Sequence, residues 1–222
     1  MDIIEAIDKK IQERSILKHP FYQAWQMGQL THEMLQDYAK QYYMHVAAFP
    51  QYLSAVHTKM DNAHDRKLIL QNLMDEEHGD KNHPELWLRF AEAAGVKREN
   101  IDTVATEETK KFVNNFKFFA SQSVAEGIAA LYAYESQIPK VSEEKINGLI
   151  KFYGVISESG LEYFKVHMQA DIEHSAAERE LIRKYAKDEK IQRKVLEAVD
   201  KTLDAYWNML TGIQKLCKLN CT

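Results

Sequence analysis

The sequence predicts an all-α fold, and three observations carry that expectation. Glycine and proline, which punctuate strands and turns, number only 8 and 4 among 222 residues. Apolar residues recur at helical spacing along most of the chain. No Val- and Thr-rich alternating segment, internal repeat or Pro- or Ser-rich linker breaks the pattern. A chain this long buries a substantial core without covalent staples. One helical domain over 1–222, with about the last ten residues as a peripheral tail, is the economical reading.

Residues 3–16 read as an amphipathic helix, with Ile3, Ile4, Ile7, Ile11 and Ile16 near helical period. Pro20 opens a second, short helix carrying Phe21, Tyr22 and Trp25, and Gly28 ends it. Thr31 is an acceptable N-cap for a long helix running to about Met60, with a kink expected at Pro50. Residues 64–79 form the next helix and stop at Gly79. Pro84 opens another with Leu86, Trp87, Phe90 and Ala94, ended by Gly95. The polar stretch 96–108 is expected to be the longest connection. Helices follow at 109–122, 123–138, 142–153, 158–186 and 190–217, with a boundary at Pro139 and a turn between Gly154 and Gly160. Sustained heptads are absent, which argues against a long coiled coil.

Composition removes several classes of function. A net charge of −4 leaves no basic excess to neutralise phosphates, so no nucleic-acid partner is expected. No apolar run approaches the ~20 residues needed to span a bilayer, so no membrane role is expected either. The opening MDIIEAIDKKIQERS lacks the apolar core of a signal peptide. Both cysteines, Cys217 and Cys221, lie in the last six residues and cannot staple a core. A reducing, cytoplasmic compartment fits best.

The sharpest local feature is HMQADIEH, which places His167, Asp171 and His174 at i, i+4 and i+7. At about 3.6 residues per turn they fall within an arc of roughly 60° and project from one helix face. Imidazole and carboxylate together suit iron, manganese or zinc. A solvated polar face that carries two histidines is the alternative, and this segment alone does not choose. In MDEEHGDKNH, Glu76 and His83 stand seven residues apart, on one face if the helix is unbroken, though Gly79 lies between them. Taken alone, that segment reads more simply as charged surface. Glu135 follows the nearly continuous apolar run Ala129–Tyr134. Such a run reads as a buried helix, and a carboxylate there needs a cation or hydrogen-bond partner, whether a metal or an internal Lys or Arg.

Together these segments supply six N/O ligands from helices, similar to the inventory of helical carboxylate di-metal proteins. The set departs from the four-Glu, two-His pattern of ferritin-like bundles and points to another scaffold. Three ligands per metal would leave positions open for oxygen or substrate. His19, His32, His57 and His64 sit near helix ends or on polar faces and read as surface residues. His45, beside Tyr42, Tyr43 and Phe49, reads as a buried, hydrogen-bonded histidine or, at longer odds, a haem ligand. Tyr22, Tyr38, Tyr42, Tyr43 and Tyr52 read as core packing, or as redox-active groups if a metal is near.

The stretches GQLTHEMLQDYAKQYYMHVAAFPQYLSAVH, NLMDEEHGDKNHPELW, LYAYESQIP and HMQADIEHS resemble the family of the chlamydial protein associating with death domains and its bacterial relatives. That family lies within the thiaminase II, pyrroloquinoline-quinone synthase and haem-oxygenase-like group. The resemblance covers nearly the full chain, to about Met209, and leaves out the cysteine-bearing tail. It implies a seven-helix, haem-oxygenase-like bundle with a di-metal site, Fe/Fe or Mn/Fe, on Glu76, His83, Glu135, His167, Asp171 and His174. It also implies p-aminobenzoate formation for folate synthesis, with dioxygen and a reductant as co-substrates. By resemblance the aromatic acid is cut from the protein's own Tyr22, with Tyr38 and Tyr134 close by and Lys145 as amino donor, so that the protein is consumed. From the residues alone, Tyr22 reads as packing and Lys145, in VSEEKINGLI, as a solvent-facing salt-bridge residue. A homodimer and host death-domain proteins are partners of the same implied kind, and delivery into a host cell stays open.

Other functions meet specific obstacles. Thiaminase II-type hydrolysis needs a cysteine nucleophile within the bundle, where neither Cys217 nor Cys221 is placed. Pyrroloquinoline-quinone synthase acts without metal on an acidic substrate, against which the carboxylate cluster argues. A di-metal oxidase or lyase acting on an external small molecule such as a fatty acid would use the same six ligands. A host-interaction protein is the non-enzymatic alternative, with no contact surface identified by the sequence.

Overall fold

A computed structural model of the chain describes residues 2–218, and these contain helices and no strand. The α-helices are α1 (Ile3–Glu13), α2 (Pro20–Gln26), α3 (His32–His57), α4 (Ala63–Glu77), α5 (His83–Ala93), α6 (Glu107–Ser121), α7 (Val124–Glu135), α8 (Ile138–Phe152), α9 (Glu158–Tyr185) and α10 (Glu189–Leu216). Short 3-10 turns at Ile16–Lys18 and Arg98–Asn100 complete them. Side chains of Asn62, Asn82, Thr106, Ser123, Ser157 and Asp188 each accept a backbone N–H of the first turn they cap. Among the described residues no helix is long and apolar enough to cross a membrane.

Ten α-helices stand among the described residues, as the element-by-element reading expects, where the family resemblance implied seven; several are parted only by short breaks. A 3-10 turn and Pro20 separate α1 from α2. A turn through Gly79, at φ +81°, separates α4 from α5. Ser136 and Gln137 separate α7 from α8. Pro139 sits in the first turn of α8, where its missing N–H costs nothing, so it lies inside a helix that starts earlier than its boundary role suggested. Pro50 lies within α3 without ending it.

The core gathers around α7, whose every residue is buried. A helix apolar on all sides must be enclosed, and α7 packs against α3, α6, α9 and α10. Helix α9 also packs on α8 and α5, and α3 on α4 and α5. Buried Asp65 fastens α4 to α9 by accepting from Lys184 Nζ and Tyr185 Oη, each at 2.6 Å. Trp87 Nε1 donates to the Ala39 carbonyl at 2.8 Å and ties α5 to α3. Gln41 accepts from Thr106 N and Thr109 Oγ1 and donates to the Val104 carbonyl, which anchors the long connection.

One expectation for a polar residue changes. His19 is buried rather than on the surface: its Nδ1 accepts the Phe21 N–H at 3.1 Å, and Nε2 lies 3.0 Å from Thr211 Oγ1. It caps α2, and its ring packs edge-on against Trp207. Cys217 is half-buried at the C-cap of α10, and burial raises its thiol to about 12, so it stays protonated and is no nucleophile. Cys221 lies outside the described residues.

Gly148 lets α8 approach α2. A Cβ there would stand 2.5 Å from Cδ1 and Nε1 of Trp25, a fully buried side chain. Gly148→Ala should therefore destabilise the fold by about 1–3 kcal/mol by overpacking. A helical glycine in open space gives the opposite sign, a gain of about 1 kcal/mol. Urea unfolding with unchanged m-value checks the expectation, and a stabilised variant would refute the close approach.

Candidate metal centre

Four helices deliver the six ligands expected from the sequence. Glu76 comes from the last turn of α4, His83 from the first residue of α5 and Glu135 from the last of α7. His167, Asp171 and His174 come from the middle of α9. All six are buried. They converge as two triads, Glu76–His83–His167 and Glu135–Asp171–His174, in each of which one donor atom per residue lies within 4.8 Å of the others. Glu76 and His83 do not share one helix face. The turn through Gly79 folds α5 back so that His83 Nδ1 stands 2.8 Å from Glu76 Oε1.

Neighbouring groups aim the ligands. His167 Nδ1 donates to the Tyr163 carbonyl at 2.7 Å, which leaves Nε2 free. His174 Nε2 stands 3.0 Å from Asp75 Oδ2, while its Nδ1 lies 3.5 Å from both Glu135 Oε1 and Asp171 Oδ1. Asn72 Nδ2 donates to Glu135 Oε1 at 2.9 Å. The sequence reading treated Asp75 as charged surface and did not single out Asn72. Their only signal was position, one and four residues before Glu76 on α4.

The arrangement fits metal ions. Glu135 Oε2 and Asp171 Oδ2 are buried without a hydrogen-bond partner, and His83 Nδ1 and His174 Nδ1 have only the carboxylates of their own triads for neighbours. Orphaned donors of this kind are costly unless a cation meets them. The donor set is imidazole and carboxylate with no thiolate, which suits first-row divalent ions. In the metal-free chain protons take the cation's place. Burial opposes the His174 imidazolium, but hydrogen bonds to Asp171 and Glu135 outweigh it and raise the group to about 11. Burial also raises Asp171, to about 7.

A cavity of about 10 Å³ touches Glu76, Glu135, His167, Asp171, Tyr134 and His45. That is room for about one water or a molecule of similar size. His45 is buried as expected, but neither ring nitrogen has a hydrogen-bond partner. Its contacts are aromatic, with Phe112 at 4.4 Å and Tyr134 at 4.7 Å between ring centroids. On the solvent side, a groove of about 720 Å³ reaches His83 and Asp75.

Tyr134 also begins a chain of phenols. Tyr134 Oη lies 2.8 Å from Tyr42, Tyr42 3.0 Å from Tyr206, Tyr206 3.5 Å from Tyr22 and Tyr22 3.0 Å from Tyr38. Tyr22 does not line the ligand cavity and reaches it only through these neighbours. Tyr42 was read as packing and Tyr206 went unnoticed, because contacts between distant helices leave no local pattern. Lys145 is 4% exposed rather than solvent-facing, and no carboxylate of the described residues pairs with it. Its Nζ lies 4.8–5.4 Å from the ring centroids of Tyr42, Tyr22 and Tyr38. Burial lowers this amine to about 7.

Comparison with known proteins gives these residues a context. The profile of a family described as iron-containing redox enzymes matches residues 36–207. The 4-aminobenzoate synthase of Chlamydia muridarum is 43% identical over 95% of this chain and 89% of its own. That of Nitrosomonas europaea is 43% identical over 95% of this chain and 90% of its own. The crystal structure of a TenA homologue from Pseudomonas syringae shares the fold, with a TM-score of 0.82, 18% identity and coverage of 96% and 93% of the two chains.

Glu135→Ala and His174→Ala each remove a donor from one triad and should lower bound metal, measured by elemental analysis after loading and desalting. Two ions retained in both variants would sink the assignment. Metal binding must also expel the His174 proton, so apparent affinity should strengthen as pH rises and weaken as it falls. Calorimetric titration at pH 7 in buffers of different ionisation heat should show that release. Identical heats in all buffers would count against it.

Proposed function

This chain belongs to the iron-containing redox enzymes of haem-oxygenase-like fold, and on that premise we propose that it makes 4-aminobenzoate (p-aminobenzoate) from its own Tyr22, with Lys145 as amino donor. The observation that carries this reading is Lys145: a buried lysine with no carboxylate partner, among the rings of Tyr22, Tyr38 and Tyr42, with its amine lowered to about 7. A substantial fraction is then unprotonated and nucleophilic near neutrality. The curated relatives named above for 4-aminobenzoate synthesis support the product.

The atoms suit the product. The ring and Cβ of tyrosine supply the carbon skeleton: the Cα–Cβ bond breaks and Cβ is oxidised to the carboxyl, while the phenolic C–O bond gives way to a C–N bond, the lysine Cε–Nζ bond breaks and the phenolic oxygen leaves as water. Metal ions bound by the two triads, Fe/Fe or Mn/Fe, would supply oxidising power from dioxygen and an external reductant. Burial holds the Tyr22 phenol protonated well above its usual range. Taking an electron from it therefore requires taking its proton too, and the Tyr38 and Tyr206 oxygens are the acceptors in reach. The surrounding aromatic rings keep water from competing with the Lys145 amine. The cavity beside the ligands, about 10 Å³, has room for a molecule of about the size of water. A protein that spends its own side chain acts once.

Tyr22→Phe removes the oxidisable phenol and keeps the packing, so product should be lost while stability falls by no more than about 1 kcal/mol. Lys145→Arg keeps a cation but no deprotonatable amine and should stop amination. Protein expressed with ring-labelled tyrosine and ε-nitrogen-labelled lysine should yield doubly labelled 4-aminobenzoate. Unlabelled product from labelled protein would replace this reading with an oxidase acting on an external molecule.

A further inference from the structure

The stripe on α9 does not end at His174. Glu178 follows His167 by eleven residues and, at about 100° per residue, falls back within the same narrow arc. Its exposure is 0%, and neither carboxyl oxygen has a hydrogen-bond partner. It faces Glu135. It stands outside the compact Glu135–Asp171–His174 triad, against its Glu135 side.

A buried carboxyl aimed at another carboxylate, with no lysine or arginine paired to it, has no structural rationale in a metal-free protein. Charge gives it one. Glu76, Glu135 and Asp171 carry three negative charges against the four positive charges of two divalent ions, and Glu178 makes the sum neutral. Four carboxylates are also the number that ferritin-like bundles bring to two ions. We infer that Glu178 is a fourth carboxylate of the metal centre, serving the ion held by Glu135, Asp171 and His174, which it reaches by side-chain rotation from the Glu135 side. This rests on the metal-centre assignment and not on the product or its source.

The test compares wild type, Glu178→Gln and Glu178→Met by titrating the apoprotein with Mn(II) alone under anaerobic conditions. Wild type should bind two ions. Glu178→Gln should bind one with unchanged affinity and the other about tenfold or more weaker, with an altered Mn(II) electron-paramagnetic-resonance spectrum. Glu178→Met removes a buried unpaired acid, so its apoprotein should melt at a higher temperature than wild type while gaining less on adding Mn(II). Two ions bound by Glu178→Gln with wild-type affinity, or a Glu178→Met apoprotein less stable than wild type with the full metal-induced shift, would overturn the proposal. No binding by wild type would instead overturn the metal centre itself.

Discussion

Negative charge enclosed where no protein cation can answer it is the constraint on which this molecule depends. Carboxylates from α4, α7 and α9 face one another inside a helical bundle. The imidazoles beside them answer part of that charge only by holding protons of their own. Such a cluster is a poor structural element and a good receptacle for divalent ions. The surrounding helices hold it in place. α7 is enclosed because it is apolar all round, and α4 is pinned to α9 through Asp65. Burial creates the electrostatic problem and also fixes the geometry of its answer.

A second buried polar system stands apart from the first and runs on different physics. Lys145 has aromatic faces for neighbours where the ligands have carboxylates, so burial lowers its pKa unopposed. The phenols between the two systems stay protonated and hydrogen-bonded to one another. A cluster of candidate metal ligands and a buried amine thus coexist in one core without direct contact, with the hydrogen-bonded phenols of Tyr134, Tyr42 and Tyr206 between them.

Local periodicity made much of this legible. The α9 ligand face followed from spacing, and the enclosure of α7 followed from its unbroken apolar run. Both are properties of single helices. What was not legible depended on how elements meet. His83 joins Glu76 through a turn rather than a shared face, so helical spacing gave the right pair for an incomplete reason. His19 read as a surface residue because nothing local shows that its ring packs against Trp207 and Thr211. Lys145 sits in polar sequence, and only the packing of α8 on α2 and α9 reveals that it points inward. Glu178 was within reach of the same spacing argument, one turn further along.

The Gly79 turn makes the two triads unequal. Glu135, Asp171 and His174 belong to helices packed deep in the bundle, whereas Glu76 and His83 flank a surface turn whose glycine adopts a positive φ. A position whose donors are already set can capture an ion without rearrangement. Both triads converge without an ion, but the solvent groove reaches the Glu76 position through His83 and touches none of Glu135, Asp171 and His174. Chemically similar donor sets therefore differ in kinetic accessibility.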